Sequence, residues 1–502
     1  MVNHLGLETL DVIENHLERL TEIKGIGKKR IKQISQAWEQ QKAIKEVMVF
    51  LQGHGVSTVY ATKIYKCYGR EAIETVINNP YKLAEDIYGI GFISADTIAR
   101  NVGISPWSKF RYKAGILHTL TQATADGHCF LPLSELVEQA EKLLTKDGHE
   151  AEASPILKVV AEMQADVDVI GNGEAIYKPS IFHTEQNLAQ LLKQRLSQTV
   201  QGDIPRVKNW IERFTQSRKI QLSDQQRQAV EKAAYSKILI LTGGPGCGKT
   251  FTTATIVELW KAMGKTILLG APTGRAAQRL GEMTKLPAKT LHRLLEFDPK
   301  TMDFSRGRDH PLDCDALIVD ETSMLDIFLA YSLVKALPDG ASLLLIGDSD
   351  GLPSVGHRSV LKDLIDSGQI PVVKLTQVFR QATQSAIVKG AHQINRGQFP
   401  QLEPISNSPQ TDCLWHGGGT QPEHGVQAIC DLVEQFIPRL GFIPTSDLQV
   451  LCPMTRGLLG TRNLNRVLQE LINPPSPHKN EVVRGASIFR EGDCLTARSA
   501  NA

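Results

Sequence analysis

With 502 residues the chain is long enough for about three or four domains, and it lacks any run of about 18 apolar residues that could span a bilayer as a helix. Its opening, Met-Val-Asn-His-Leu-Gly-Leu-Glu, has neither the basic nor the apolar region of a secretion signal, and its eight cysteines form no Cys-x-x-Cys pair, so a reduced, cytoplasmic protein without structural zinc is expected. The 56 Lys and Arg nearly balance the 54 Asp and Glu, a net charge of +2, which excludes a histone-like binder and leaves any nucleic-acid affinity to local patches.

The first hundred or so residues are helical in pattern and repeat one small turn. Ile23-Lys24-Gly25-Ile26-Gly27-Lys28-Lys29-Arg30 places an apolar-Gly-apolar-Gly step between two helices. Ile87-Tyr88-Gly89-Ile90-Gly91 repeats it, and Leu51-Gln52-Gly53-His54-Gly55-Val56 is a weaker copy. The device resembles the helix-hairpin-helix motif, whose glycines let backbone N–H groups approach a nucleic-acid phosphate. Gly25, Gly27 and Lys28 are the candidate DNA contacts, with Lys29, Arg30 and Lys32 adding charge. The second copy continues into Phe92 and Ile93, so a mainly structural role is expected there.

Residues 109–179 read as amphipathic helices followed by a hairpin, Val167-Asp168-Val169-Ile170 and Ala175-Ile176-Tyr177 flanking Gly171-Asn172-Gly173. That succession suggests a small winged-helix-like domain. Two further helices, near 185–196 and 206–218, are expected to form a linker. Gln226, in Leu222-Ser223-Asp224-Gln225-Gln226-Arg227, is placed to read an adenine edge or simply to cap a helix.

The strongest chemical signal follows. The apolar run Ile238-Leu239-Ile240-Leu241 empties into Gly243-Gly244-Pro245-Gly246-Cys247-Gly248-Lys249-Thr250, and a helical pattern resumes at 251–263. A strand, a glycine-rich turn and a helix start make a phosphate cradle, in which backbone N–H groups face the anion. Lys249 can reach the β- and γ-phosphates, and Thr250 can ligate Mg²⁺. A second buried run, Ala316-Leu317-Ile318-Val319, ends in Asp320 and Glu321. In an open parallel sheet both strand ends face one crevice. Asp320 would then hold Mg²⁺, and Glu321 would orient and deprotonate an attacking water. ATP and Mg²⁺ are the expected cofactors.

The landmarks then come in a specific order: Ala271-Pro272-Thr273-Gly274-Arg275, Thr290-Leu291-His292-Arg293, Asp320-Glu321, Gly347-Asp348-Ser349-Asp350-Gly351-Leu352-Pro353, and Leu375-Thr376-Gln377-Val378-Phe379-Arg380-Gln381. The series resembles the RecD-like (RecD/TraA) superfamily 1 DNA helicases with helix-hairpin-helix repeats before the motor, from about residue 8 to 495. That resemblance implies a multidomain chain with a helix-hairpin-helix region (1–104), a winged-helix-like domain (105–182) and a helical linker (183–218). A first α/β RecA-like P-loop domain (219–370) follows, with a strand-separating pin near 296–312, and then an incomplete second RecA-like domain (371–502) with a strand at 448–452 and the turn Pro453-Met454-Thr455-Arg456-Gly457. It also implies that Thr273, Arg275, Thr290 and His292 contact single-stranded DNA, that Arg380 reaches the γ-phosphate, that duplex/single-strand junctions are substrates, and that travel is 5′ to 3′.

The chain departs from the family in three ways. Gly351 stands where the family carries a glutamine that links nucleotide state to DNA grip, and Cys247 replaces the usual threonine or serine of the loop. The family would also extend beyond both ends, so the chain looks trimmed, and nucleotide binding is expected to survive better than hydrolysis or unwinding. Two readings follow: an ATP-dependent DNA helicase of repair or recombination, or a nucleotide- and DNA-holding module with little turnover. A small-molecule kinase would share the P-loop but leave Thr273-Gly274-Arg275 and the hairpin repeats unexplained.

Overall fold

The structure is a computed structural model that describes residues 9–22, 27–145, 150–198, 200, 202–349, 351, 360–378, 384–405, 411–417, 421–485 and 487–493. Six helices open it: α1 (Thr9–Asn15), α2 (Lys28–Gly53), α3 (Thr58–Tyr68), α4 (Ala72–Asn78), α5 (Lys82–Asp86) and α6 (Phe92–Asn101). Ser57 caps α3 by accepting from Tyr60 N. The hairpin between α5 and α6 buries Ile87, Ile90 and Phe92, while Tyr88 is 98% exposed at its tip. Its carbonyls are engaged, Tyr88 O by Lys63 Nζ at 3.0 Å and Gly89 O by Tyr60 OH at 3.1 Å.

Helix α7 (Lys109–Ala125), strand β1 (Phe130–Pro132), helices α8 (Leu133–Leu144) and α9 (Ala153–Ala165), and strands β2 (Ile170–Asn172) and β3 (Ala175–Tyr177) follow. The strands form an antiparallel sheet in the order β1-β3-β2. The hairpin sits slightly later than expected. Val167 has a φ of +62° as the chain leaves α9, so pairing begins only at Ile170 and the turn falls at Gly173-Glu174. One apolar core runs from Val47 to Ile176, across the expected boundary at 104. Within it Asp96 accepts from Tyr81 OH and Arg111 Nε, each at 2.8 Å. Burial alone would raise the Asp96 carboxyl, but these donors hold it below the usual range.

Helices α10 (Pro179–Leu196) and α11 (Ile204–Arg218) are not a linker. Together with α12 (Asp224–Tyr235) they pack on a six-stranded, all-parallel sheet formed among the described residues in the order β11-β4-β10-β9-β5-β6. Its strands are β4 (Ile238–Gly243), β5 (Ile267–Ala271), β6 (Ala288–Thr290), β9 (Ala316–Val319), β10 (Ser342–Gly347) and β11 (Val372–Leu375). Alternate residues point to opposite faces. Ile238, Ile240, Leu317 and Leu343 meet α10 and α16 (Ile327–Ala336) on one side. Leu239, Leu241, Ile318 and Leu344 meet α11, α12 and α13 (Lys249–Ala262) on the other. Burial on both faces explains why these strands read as unbroken apolar runs. Arg195 of α10 locks the first layer by donating to the carbonyls of Pro338 at 2.9 Å and of Leu337, just past the end of α16.

Two expectations about the second motor domain fail. The chain just past 371, the expected start of that domain, instead forms β11, which pairs with β4 and completes the first sheet. Residues 448–452 form no strand, and Leu451 is 86% exposed. An apolar run becomes a strand only where a neighbouring strand takes up its backbone hydrogen bonds, and none does so here among the described residues. Helix α17 (Val360–Asp366) precedes β11, and beyond 384 the described residues include α18 (Ala386–Asn395), α19 (Pro422–Asp431), which continues through a π turn (Leu432–Phe436), and α20 (Thr461–Ile472), with two-stranded ribbons β12–β13 (Glu403–Pro404 with Leu414–Trp415) and β14–β15 (Glu481–Arg484 with Ser487–Arg490). No RecA-like sheet forms among them.

Candidate functional site

The sheet register aligns its carboxyl ends. Gly347 pairs with Thr242, Leu345 with Val319, Gly270 with Val319, and Ala271 with Thr290. The loops after β4, β10, β9, β5 and β6 therefore open along one edge, the edge at which open α/β sheets hold ligands.

At β4 the chain leaves Gly243 and turns through Gly246 (φ +77°) and Gly248 (φ +80°), a left-handed backbone that a side chain would strain. Gly248 is the N-cap of α13 and provides no side-chain cap, so the first N–H groups of the helix face the loop without side-chain partners. Lys249 Nζ donates to the carbonyl of Gly243 and, at 3.1 Å, to that of Gly244. Thr250 is exposed on the first turn, as are Pro245 and Gly246 on the loop. Cys247 turns inward, 3% exposed, and burial raises its thiol pKa. Its backbone, not its side chain, belongs to the cradle, so cysteine serves as well as threonine there.

Asp320 and Glu321 leave β9 two strands away from β4. Glu321 has a φ of +53°, uncommon for a residue with a side chain and a form of strain that clusters at functional sites. The turn is tied down on both sides. Glu321 N donates to Asp320 Oδ1 at 2.9 Å, and Thr322 Oγ1 donates to Ile346 O of β10 at 2.8 Å. Burial raises the Asp320 carboxyl, against the opposing charges of Lys249 and Arg279. Glu321, at the crevice mouth, is raised by partial burial and then by Asp320, again opposed by Lys249 and Arg279. Lys249 thus acts on both carboxylates, and the three share one crevice. A backbone anion cradle, an ammonium, a hydroxyl and a carboxylate are the donors that a magnesium nucleoside triphosphate needs.

Next along the edge come the candidate DNA residues. Thr273 caps α14 (Gly274–Thr284), accepting from Ala276 N at 3.3 Å, and Arg275 is exposed. Thr290 caps the single turn α15 (Leu291–Leu294), accepting from Arg293 N at 3.4 Å. The exposed His292 ring rests on a hairpin of β7 (Phe297–Asp298) and β8 (Asp303–Phe304), with centroids 5.6 Å from Phe297 and 5.7 Å from Phe304. Glu296 and Arg306 close the hairpin base with a 2.7 Å ion pair, and Met302 is 74% exposed near its tip.

Five expected residues stand apart. Gly25 and Arg380 lie outside the described residues. Gly27 and Lys28 begin α2, remote in sequence from the sheet edge. Gln226 is 1% exposed, and its amide oxygen accepts from Ser223 N at 3.0 Å in a capping box, so only its NH₂ group, which has no partner among the described residues, is left for a base. Two neighbours were not foreseen. Arg279 follows Arg275 by one helical turn, a spacing that puts both on one face. Gln225 clasps Thr376 just past β11, donating from Nε2 to Oγ1 at 2.8 Å and accepting from Thr376 N at 2.8 Å; nothing in the sequence separates it from Gln226.

Residues 226–357 match the AAA domain family, and residues 40–130 match the family described as the ATP-dependent RecD2 DNA helicase HHH domain. Across almost the whole chain, 483 residues, the sequence is 32% identical to the ATP-dependent RecD2 DNA helicase of Deinococcus radiodurans. The chain is similar to RecD-like helicases in both its helical region and its nucleotide-binding region. It aligns over 93% of its length but spans only 64% of the Deinococcus radiodurans relative. It is also 40% identical, over 166 residues, to the RecBCD enzyme subunit RecD of Mycobacterium tuberculosis, covering 28% of this chain and 29% of that one. The Pif1 helicase of Candida albicans overlaps 38% of this chain and 50% of its own at 21% identity, with a TM-score of 0.28. The matched helix-hairpin-helix region includes the hairpins at 51–56 and 87–91 and begins after the copy at 23–30.

Proposed function

We propose that this chain works as an ATP-dependent DNA helicase in repair or recombination, spending ATP hydrolysis on movement along single-stranded DNA, 5′ to 3′ by family likeness. The observation that carries the reading is the shared carboxyl edge: the P-loop and Asp320-Glu321 lie over β4 to β9, and Thr273, Arg275, Thr290 and His292 lie beside them over β5 and β6. Bound Mg²⁺, held by Thr250 and Asp320, supplies charge neutralisation at the phosphates. Lys249 exchanges the Gly243 and Gly244 carbonyls for phosphate oxygens. Glu321 takes the proton of the attacking water as its oxygen bonds to the γ-phosphorus and the bond to the β-γ bridging oxygen breaks. Arg380 adds positive charge at the γ-phosphate.

Arg275 and His292 hold the strand, and the 297–304 hairpin splits the duplex at a junction. The helix-strand-helix-helix-strand-strand order of 109–177 supports a winged-helix-like module, and Gly27 with Lys28 supports a phosphate contact in the helical region. The test is strand displacement from a tailed duplex. A 5′-tailed substrate should be opened with ATP and Mg²⁺, and Glu321→Gln should stop it; opening that persists in Glu321→Gln contradicts the assigned base. Gly351 favours a second reading, a module that holds nucleotide and DNA with little turnover. A side chain there would meet Asp348 O at 3.2 Å, and glycine supplies no amide to sense nucleotide state.

A further inference from the structure

A group from beyond the first sheet reaches the same crevice. Asp412 pins the start of α18, accepting from Ser385 Oγ at 2.5 Å, Ala386 N at 2.6 Å and Ile387 N at 3.2 Å. Two turns on, His392 lies against the P-loop. A β-carbon on Gly244 would fall 2.9 Å from His392 Cε1, so the imidazole fills the space that a side chain at 244 would need. Its Nε2 is buried and has no hydrogen-bond partner among the described residues. A buried polar nitrogen without a partner lowers stability unless something else satisfies it. Here the neighbouring group is a loop shaped for anions. The Lys249 ammonium, the group that reaches the outer phosphates, converges on the same glycine through Gly244 O at 3.1 Å.

We propose that His392 is a nucleotide-binding residue whose Nε2–H donates to a terminal phosphate oxygen of the bound nucleoside triphosphate, an inference that rests on the P-loop reading above. The contact would let the chain beyond β11 register whether that phosphate is present.

The experiment measures binding of a non-hydrolysable ATP analogue and of ADP, each with Mg²⁺, to the full chain and to its His392→Phe, His392→Gln and Lys249→Ala variants. Phe keeps the ring and removes the donor, whereas Gln restores an N–H near the Nε2 position. His392→Phe should weaken the analogue by about tenfold and ADP far less, His392→Gln should recover most of that loss, and His392→Phe without nucleotide should melt no lower than the natural chain. Analogue binding by His392→Phe equal to that of the natural chain, or an equal loss in the Phe and Gln variants, overturns the proposal. Lys249→Ala separates the two levels: if it binds the analogue normally the P-loop reading itself falls, and if it alone loses binding only the role of His392 falls.

Discussion

Asp320 and Glu321 are kept where folding alone would not choose them. Both carboxyls are raised by burial, so the stability tied to their protonated forms is fully present below the unfolded pKa, about 4, and is lost as pH rises through the higher folded value. Asp320→Asn cannot ionise. It should melt on the order of a degree or two above the natural chain at pH 7.5, with the gap closing as the pH is lowered toward about 4, while ATP hydrolysis is lost. A pH-independent gap in thermal melting, or a lower melting temperature at pH 7.5, contradicts this account. At this scale the sequence was most readable where chemistry is contiguous. The phosphate-loop reading of Gly243 to Thr250 is carried by their spacing, and the structure adds the inward turn of Cys247 and the Lys249 bonds to the loop carbonyls. Gln226 was ambiguous for a physical reason, since a glutamine three residues after a serine suits a cap as well as a base contact. His392 was invisible, because its meaning comes from a loop nearly 150 residues away.

Elements carry the next set of constraints. Arg195 is 6% exposed and is the bond between α10 and the carbonyl end of α16; its removal strands the buried Leu337 carbonyl and the half-buried one of Pro338. Arg195→Ala should cost about 2–4 kcal/mol in urea unfolding, and Lys should not rescue it because one ammonium cannot reproduce the guanidinium fork. A loss below about 0.5 kcal/mol would mean that the carbonyls find other donors. The 297–304 hairpin stands on a three-ring cluster, with Phe297 and Phe304 centroids 5.2 Å apart and His292 against both. Phe304→Ala should loosen it and lower strand displacement about tenfold more than it lowers ATPase, because the chemistry lies several strands away. Equal losses would argue against a separating role. The hairpin is legible in outline in the sequence, whereas α10 and α11 look there like a linker. Amphipathic periodicity shows that a helix has an apolar face, but not what that face meets.

Over the whole molecule, function reduces to which strand ends meet. Apolar runs such as 238–241 and 316–319 identify buried parallel strands without giving their order, so the β11-β4-β10-β9-β5-β6 arrangement had to come from structure. The same limit misplaced β11 and turned 448–452 into a strand that has no partner among the described residues. What the order supplies is proximity: the 243–250 loop and Asp320-Glu321 at β4 and β9, the proposed strand contacts at β5 and β6, and Arg279 close to both carboxylates. On the proposed function, DNA held at β5 and β6 would bear on the carboxylates of β9 through this shared edge, and that coupling is the central proposal. Its most direct test is the steady-state ATP hydrolysis rate of the purified chain with and without single-stranded DNA, beside Lys249→Ala. The account predicts a rise of severalfold with DNA and no hydrolysis by Lys249→Ala in either condition. A rate that DNA leaves unchanged, or hydrolysis that survives the loss of Lys249, would contradict it.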